Sequence, residues 1–334
     1  MASLIHVSIL VATLHLSIAA TLNRTFDYNS LSLREVGARN TLEWRMWLEK
    51  NGDPISFWHD VPLWPDEREK QIINVVVEIP RWEDGKIEIK RTEPLNPIFH
   101  NDRNGAVRFV ESVWPHKSYP FLYGSIPQTW ESPNEPHNFT GFPGDNDPID
   151  FFDIGQDIGY TGQIKQVKIL GGLAPNDGGE TDWKLLVIDI RDPLARLVDC
   201  ADKSAWEDVD KYRPGTTKAF RDWFTYYKVA RGDGVIPIIG DSYQGVEFIT
   251  EVLERGHRYW QGLINGDVNT GKINYNQTSS PKASISFVSK CETAQKFDIP
   301  AENRTAPKAK KPDMYDQWYY LDKDFALINV PGSV

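Results

Sequence analysis

Carboxylate side chains are concentrated in one short segment of the chain, residues 144–150, which read Gly-Asp-Asn-Asp-Pro-Ile-Asp. Three aspartates so close together repel one another unless cations lie between them, and hard oxygen ligands suit Mg²⁺ or Ca²⁺. The segment is not an EF-hand loop, which requires glycine at position six and glutamate at position twelve, where this chain has Asp150 and Gln156. The alternative for this segment taken alone is a solvated Asp/Asn turn.

A second acidic cluster lies at residues 177–184, which read Asp-Gly-Gly-Glu-Thr-Asp-Trp-Lys. Its two aspartates are five residues apart in a glycine turn, and a lysine follows on the strand that the turn leads into. Glu88 is a third acidic candidate and shares a strand face with Lys86. A site that binds divalent cations together with a phosphate polyanion needs this mixture, because carboxylates hold the metals and bases neutralise phosphate oxygens.

The sequence excludes several classes of protein. The 334 residues carry a net charge of −10, so a nucleic-acid binder that relies on bulk basic charge is not indicated, and 40% hydrophobic residues exclude disorder as the main state. The sequence contains no G-x-x-x-x-G-K-[ST] motif, which argues against a P-loop NTPase. Residues 240–244 resemble an esterase elbow, but Gln244 stands where the second glycine belongs. None of the seven histidines lies in an H-E-x-x-H frame.

The elements that must position these side chains are mainly strands. β-branched runs and alternating patterns predict strands at 41–49, 72–79, 86–90, 107–110, 162–170 and 183–190. Helical spacing predicts amphipathic helices at about 217–228 and 243–264. Short strands separated by glycine and proline turns are typical of a β-barrel or sandwich. We therefore expect a single domain over residues 21–334, with helices packed on a β core and an exposed polar tail at about 266–312.

The N-terminus predicts a secretory leader. Residues 4–20 are apolar or small except for His6 and His15, contain no Asp, Glu, Lys or Arg, and end in Ser-Ile-Ala-Ala, so residues 1–20 read as a signal peptide. The alternative is a buried N-terminal helix. The sequons at Asn23, Asn138, Asn276 and Asn303 agree with N-glycosylation on a secretory route. No other segment approaches the ~20 apolar residues of a membrane span.

The chain has two cysteines, Cys200 and Cys291, which lie outside the acidic motifs and lack zinc-site spacing. An even number of cysteines in a secretory chain favours a disulfide, whereas two free thiols are the alternative.

Several motifs make the chain resemble the soluble family I inorganic pyrophosphatases of the eukaryotic type, from about residue 31 to residue 228. The motifs are Val-Val-Glu-Ile-Pro-Arg-Trp at 76–82, Leu-Asn-Pro-Ile at 95–98, Tyr-Gly-Ser-Ile-Pro-Gln-Thr-Trp-Glu at 123–131, Gly-Asp-Asn-Asp-Pro-Ile-Asp at 144–150 and Gly-Glu-Thr-Asp-Trp-Lys at 179–184. The resemblance implies a mainly β fold with α-helices, a five-stranded OB-type barrel with helices packed outside, and commonly a homodimer. The chain departs from the family pattern at Phe151, where a smaller apolar residue is usual, and at Asp153, where glutamate is frequent.

The resemblance also implies roles for individual residues. The metal ligands would be Asp145, Asp150 and Asp182 for an activating pair of ions, Asp177 for a further Mg²⁺, and Glu88 for another. Asp147 matches the residue that accepts a proton from the attacking water. Tyr123 is the second residue expected to be catalytic. The phosphate-binding residues would be Glu78, Lys86, Arg108, Tyr123, Lys184, Tyr227 and Lys228, with Tyr119, Glu131 and Glu180 in supporting roles.

The implied activity is the hydrolysis of pyrophosphate to two phosphates by metal-activated water, with several Mg²⁺ ions per site and Mn²⁺ as a possible substitute. Nucleic acid is not an expected partner, nor is a membrane after removal of the leader. Two alternatives remain open: an inactive homologue that binds metal and phosphate, and a structural Ca²⁺-binding β protein. The leader favours a secreted or luminal protein, whereas familiar members of the family are cytoplasmic.

Overall fold

The computed structural model describes residues 26–198, 205–279 and 284–328. Within them the strands, in chain order, are β1 (Leu31–Ala38), β2 (Arg45–Lys50), β3 (Asp53–Ile55), β4 (Ile72–Ile79), β5 (Ile87–Ile89), β6 (Ile98–His100), β7 (Asp102–Arg103), β8 (Ala106–Val107), β9 (Ser112–Val113), β10 (Leu122–Ser125), β11 (Asp150–Asp153), β12 (Ile164–Leu173), β13 (Asn176–Asp177), β14 (Glu180–Thr181), β15 (Lys184–Asp189), β16 (Arg304–Ala306) and β17 (Trp318–Tyr319). The α-helices are α1 (Ala205–Tyr212), α2 (Thr216–Tyr226), α3 (Val246–Asn265) and α4 (Lys290–Lys296). Short 3-10 turns lie at Tyr28–Ser30, Pro193–Arg196, Val229–Arg231 and Asp313–Asp316.

Five strands close into a barrel in the order β10-β11-β15-β12-β4, and β4 pairs back with β10. The β11–β15 pair is parallel and the other pairs are antiparallel. A side chain cannot be placed at Gly124 of β10, because its Cβ would lie 2.1 Å from the Val76 carbonyl oxygen of β4. The predicted five-stranded barrel is confirmed.

A second sheet lies outside the barrel, in the order β16-β1-β2-β6-β5, with β3 paired to β2. In β5, Ile87 and Ile89 are buried and Glu88 is half-buried on the opposite face, as the alternating sequence predicts. Strand β2 is shorter than the predicted 41–49, because Thr41 donates its hydroxyl to the Ala38 carbonyl and lies in the turn that follows β1.

Two helices cover the barrel with aromatic and aliphatic side chains. In α2, Trp223 and Phe224 are buried, and the Phe224 ring stacks on Phe121 at a centroid distance of 5.2 Å. Helix α3 buries one face, which confirms the predicted 3.6-residue spacing, and it ends before Gly266, whose φ of 77° suits glycine.

The segment at 266–312 differs from the expected exposed tail. It contains α4 and β16, and β16 extends the second sheet by pairing in parallel with β1. Thr293 of α4 is buried and donates a 3.1 Å hydrogen bond to the Pro54 carbonyl. The segment also buries the apolar side chains of Ile273, Val288 and Ile299, which are isolated among polar residues in the sequence and so leave no clear pattern.

Some predictions fall outside the described residues, namely the leader, Asn23 and Cys200. Cys291 is an exposed free cysteine, which does not support its expected disulfide with Cys200. Among the described residues, no helix is both long and apolar enough to cross a bilayer.

Candidate active site

A cavity of about 400 Å³ is lined by side chains from four barrel strands, from β5 and from the loops beside them. It brings together all thirteen residues to which the family resemblance gives a role in binding metal, binding phosphate or proton transfer: Glu78, Lys86, Glu88, Arg108, Tyr123, Asp145, Asp147, Asp150, Asp177, Asp182, Lys184, Tyr227 and Lys228. These residues are spread over 151 positions of the chain, from 78 to 228. Barrel closure therefore accounts for their convergence on one cavity.

The loop 144–150 turns its carboxylates toward the cavity through a constrained backbone. Asn146 has a left-handed φ of 73°, and the backbone N–H of Asp147 donates to the Asp145 carboxylate at 3.0 Å. Gly144 allows the loop to approach residue 131, since a Cβ there would lie 2.3 Å from the Glu131 carbonyl. The segment therefore contains a local Asp/Asn turn, but its three aspartates line the cavity and do not form the solvated surface turn that was the alternative.

Three carboxylates form the tightest acidic cluster among the described residues: Glu131, Asp145 and Asp182 each offer an oxygen within 4.8 Å of the others. Burial, followed by the negative charge of the neighbouring carboxylates, raises the pKa of Asp145 and of Glu131 well above the ordinary range. One Glu131 oxygen accepts the Trp183 N–H at 3.0 Å, while the other is buried with no hydrogen-bond donor among the residues that the structure describes. Three hard carboxylate groups this close together, one of which has an oxygen without a donor, fit a divalent cation.

Lys184 is the cation closest to this cluster and forms ion pairs with Asp150 and Asp182. Tyr123 donates its hydroxyl to the same Asp150 carboxylate. Although burial opposes the charged form, these carboxylates raise the pKa of Lys184 well above its ordinary value, so that Lys184 remains protonated.

Asp147 lies apart from the cluster and forms an ion pair with Arg91 at 2.6 Å. Desolvation in the cavity raises the pKa of Asp147 to about 6, against the opposing effect of Arg91. Its side chain is still 43% exposed, so the carboxylate is open to the cavity. A carboxylate with a pKa near neutrality can accept a proton from water. The sequence analysis did not identify Arg91 as a site residue. The available signal was that Arg91 directly follows the strand 86–90, which carries the candidate residues Lys86 and Glu88.

Basic and aromatic groups form the rest of the lining. Lys228 pairs with Asp177, and Tyr227 is held by stacking on Trp223 at 4.5 Å. Lys86 lies 3.2 Å from Glu88. The buried Nε of Arg108 has no partner among the described residues, which leaves a donor for an anionic ligand.

The supporting residues separate into two groups. Glu131 and Tyr119 are buried, and the Tyr119 ring lies 5.1 Å from that of Tyr123. Glu180 is exposed and does not line the cavity. Phe151, a departure from the family pattern, is fully buried.

A closed five-stranded barrel whose cavity combines clustered carboxylates with lysine and arginine defines an enzyme that acts on phosphates. The family model described as "Pyrophosphatase: Inorganic pyrophosphatase" matches residues 75–261. The inorganic pyrophosphatase of Zygosaccharomyces bailii is 41% identical over 86% of this chain and 97% of its own, and that of Schizosaccharomyces pombe is 40% identical over 86% and 96%.

Solved structures similar to this chain are also inorganic pyrophosphatases. The inorganic pyrophosphatase of Schistosoma japonicum is 37% identical, covers 86% of this chain and all of its own, and has a TM-score of 0.79. A truncated vacuolar soluble pyrophosphatase of Trypanosoma cruzi, in complex with PPi, is 31% identical over 79% of this chain and 99% of its own, with a TM-score of 0.64. The chain belongs to the inorganic pyrophosphatase family, whose activity is the hydrolysis of pyrophosphate.

Proposed function

We propose that this chain hydrolyses pyrophosphate by direct in-line attack of water, with Mg²⁺ as its metal and with thirteen of the residues that line the cavity in the roles that the family resemblance implies. The observation that carries the proposal is the cluster of Glu131, Asp145 and Asp182, whose carboxylate oxygens lie within 4.8 Å of one another and include one buried Glu131 oxygen with no donor among the described residues.

Asp145, Asp150 and Asp182 would hold the activating ions, with Asp177 and Glu88 as ligands of further ions. When bound, these ions lower the pKa of water and offset negative charge on phosphoryl oxygens. The fit rests on the donor set, which consists of hard carboxylate oxygens. Mn²⁺ prefers similar ligands and is the expected substitute.

Asp147 would accept the proton of the attacking water. It lies at the cavity surface, and Arg91 holds one of its oxygens, so the other remains available. Its pKa of about 6 places most of the carboxylate in the basic form at neutral pH.

The basic groups would orient the phosphates. Lys86, Arg108, Lys184 and Lys228 surround the cavity, together with Tyr123, Tyr227 and Glu78. The positive groups offset the charge of the substrate and of the departing phosphate, as phosphoryl transfer requires. Burial raises the pKa of Glu78 well above its ordinary range, and one Glu78 oxygen accepts the Ile89 N–H at 3.0 Å.

A secretory route and a homodimer complete the proposal. The apolar leader supports the first, and Asn138 and Asn303 are exposed within the described part of the chain. An aromatic surface patch supports the second: Trp114 is 56% exposed, and its ring lies 5.3 Å from Trp318 and 6.3 Å from Tyr320. N-terminal sequencing of protein recovered from medium tests the route, and native mass tests the dimer.

The direct test is phosphate release from pyrophosphate with Mg²⁺, with and without a chelator. We expect rapid release that the chelator abolishes and excess Mg²⁺ restores. Binding of Mg²⁺ and phosphate without turnover would instead identify an inactive homologue. Binding of Ca²⁺ alone would identify a structural calcium protein.

A further inference from the structure

We infer that the C-terminal segment 311–319 positions the wall of the cavity that carries Lys86 and Arg108, and that Lys311 is the main positioning residue. The inference deepens the proposed function, and its kinetic test rests on that function because it measures the hydrolysis of pyrophosphate. Lys311 does not line the cavity, so its effect would be transmitted through Asp84.

The wall is a short ladder between residues 84–86 and 108–110. The N–H of Lys86 donates to the Arg108 carbonyl at 2.9 Å, and the N–H of Val110 donates to the Asp84 carbonyl at 2.8 Å. Gly85 and Phe109 form the bridge between these two bonds. Lys86 and Arg108 are therefore neighbours on one ladder, and a displacement of the ladder moves both phosphate-binding groups.

The C-terminal segment contacts both sides of this ladder. Lys311 reaches the Asp84 carboxylate at 2.5 Å, and the Tyr315 ring lies 5.1 Å from Phe109. Strand β17 then pairs in parallel with β9, where Trp318 lies opposite Ser112. The segment thus ties the 84–86 side to the 108–113 side.

The burial of the ion pair explains why Lys311 should matter. The Asp84 side chain is 10% exposed and that of Lys311 is 22% exposed, so removal of the ammonium would leave a carboxylate poorly solvated. The adjacent Lys310 pairs with Asp313, and both of those side chains are more than three-quarters exposed. Exposed pairs contribute little, which makes Lys310 a matched control.

The first experiment compares Lys311→Met with Lys310→Met in steady-state hydrolysis of pyrophosphate at saturating Mg²⁺. For Lys311→Met we expect KM to rise roughly tenfold while kcat changes less, because misplaced basic groups weaken substrate binding. Lys310→Met should stay within about twofold of the unsubstituted protein. Lys311→Arg, which restores the charge, should recover most of the loss.

The second experiment measures hydrogen exchange at the amides of Lys86 and Val110 and needs no activity. Exchange should be faster in Lys311→Met and unchanged in Lys310→Met. If the unsubstituted protein hydrolyses no pyrophosphate, the proposed function fails while this exchange result still decides the positioning role.

A folded Lys311→Met protein with unchanged KM and unchanged exchange at both amides would overturn the inference. Should Lys311→Met fail to fold, Tyr315→Ala replaces it, since that change keeps the Lys311–Asp84 pair and removes only the ring against Phe109. It should shift both readouts in the same direction, and unchanged values would again overturn the inference.

Discussion

Two acidic clusters of the barrel differ in the donors that the protein supplies. In the first, which we call the cavity cluster because Asp145 and Asp182 line the cavity, these two residues lie close to Glu131, and one Glu131 oxygen has no donor in the described part of the chain. In the second cluster, which we call the Lys165 cluster, the carboxylates of Asp153, Asp157 and Asp189 surround one buried ammonium group.

The Lys165 cluster is internally neutralised. Lys165 lies 3.0 Å from Asp153 and from Asp189, and Asp153 also accepts the N–H groups of Gly155 and Asp189. Complete burial still raises the pKa of Asp153, whereas hydrogen bonds from Arg191 and Lys165 outweigh burial and lower the pKa of Asp189 to about 2.

The difference shows what makes an acidic cluster a metal site. Both clusters contain buried carboxylates, but within the described part of the chain only the cavity cluster has a buried carboxylate oxygen, that of Glu131, without a donor. Missing donors, rather than acidic residues as such, indicate the place of a cation.

The largest effect is expected for Asp150→Asn. This change removes charge from a carboxylate that Lys184 and Tyr123 hold in the cavity. Steady-state phosphate release should fall by about 10⁴-fold or more, because metal ions contribute several kcal/mol to the barrier. Near-normal turnover would show that Asp150 is not a metal ligand.

Asp147→Asn should separate the base from the ligands. The rate should fall by about 10²–10⁴-fold, the range of a positioned base, while Mg²⁺ affinity stays close to that of the unsubstituted protein. Turnover assays and metal titration of the same sample check this. A collapse of metal affinity would place Asp147 among the ligands.

Lys165→Met should act on stability instead of chemistry. It leaves Asp153 and Asp189 buried without their shared ammonium, at a cost of about 3–5 kcal/mol in the free energy of unfolding. Urea unfolding measures this, and Mg²⁺ affinity of the folded protein should not change. A loss below about 1 kcal/mol would mean that the Lys165 cluster is not neutralised as described.

The smallest expected effect is the pH dependence of the stabilisation that Asp189 of the Lys165 cluster contributes in acid. Since the pKa of Asp189 falls from 3.8 to about 2 on folding, its contribution is complete above about pH 4 and is lost as the pH falls toward 2. It amounts to at most about 2 kcal/mol, and to less because Arg191 is largely solvated. Urea unfolding between pH 5 and pH 2 should show a smaller acid loss for Asp189→Asn, and identical profiles would contradict the assignment.

Much of the site could be predicted from the sequence, because its carboxylates lie in two compact motifs and Glu88 lies on an alternating strand. The contacts of Arg91 with Asp147 and of Lys311 with Asp84 could not, since they join residues 56 and 227 positions apart. The neutralisation of Asp153 was equally hidden, because Lys165 reaches it only after β11 and β12 enter the barrel. The pairing of β16 with β1 could not be predicted either, because it is made by backbone hydrogen bonds and the side chains of β16 are all exposed.

Calorimetric titration of Mg²⁺ into chelator-treated protein tests the central claim most directly, with Asp145→Asn compared with Asp157→Asn. Asp157 is a matched control, because its half-exposed side chain belongs to the Lys165 cluster. We predict that Asp145→Asn weakens Mg²⁺ binding by about tenfold or more, and that Asp157→Asn leaves it unchanged. Equal affinities in the two variants, or a loss confined to Asp157→Asn, would contradict the conclusion that the cavity cluster, and not the Lys165 cluster, is the metal site.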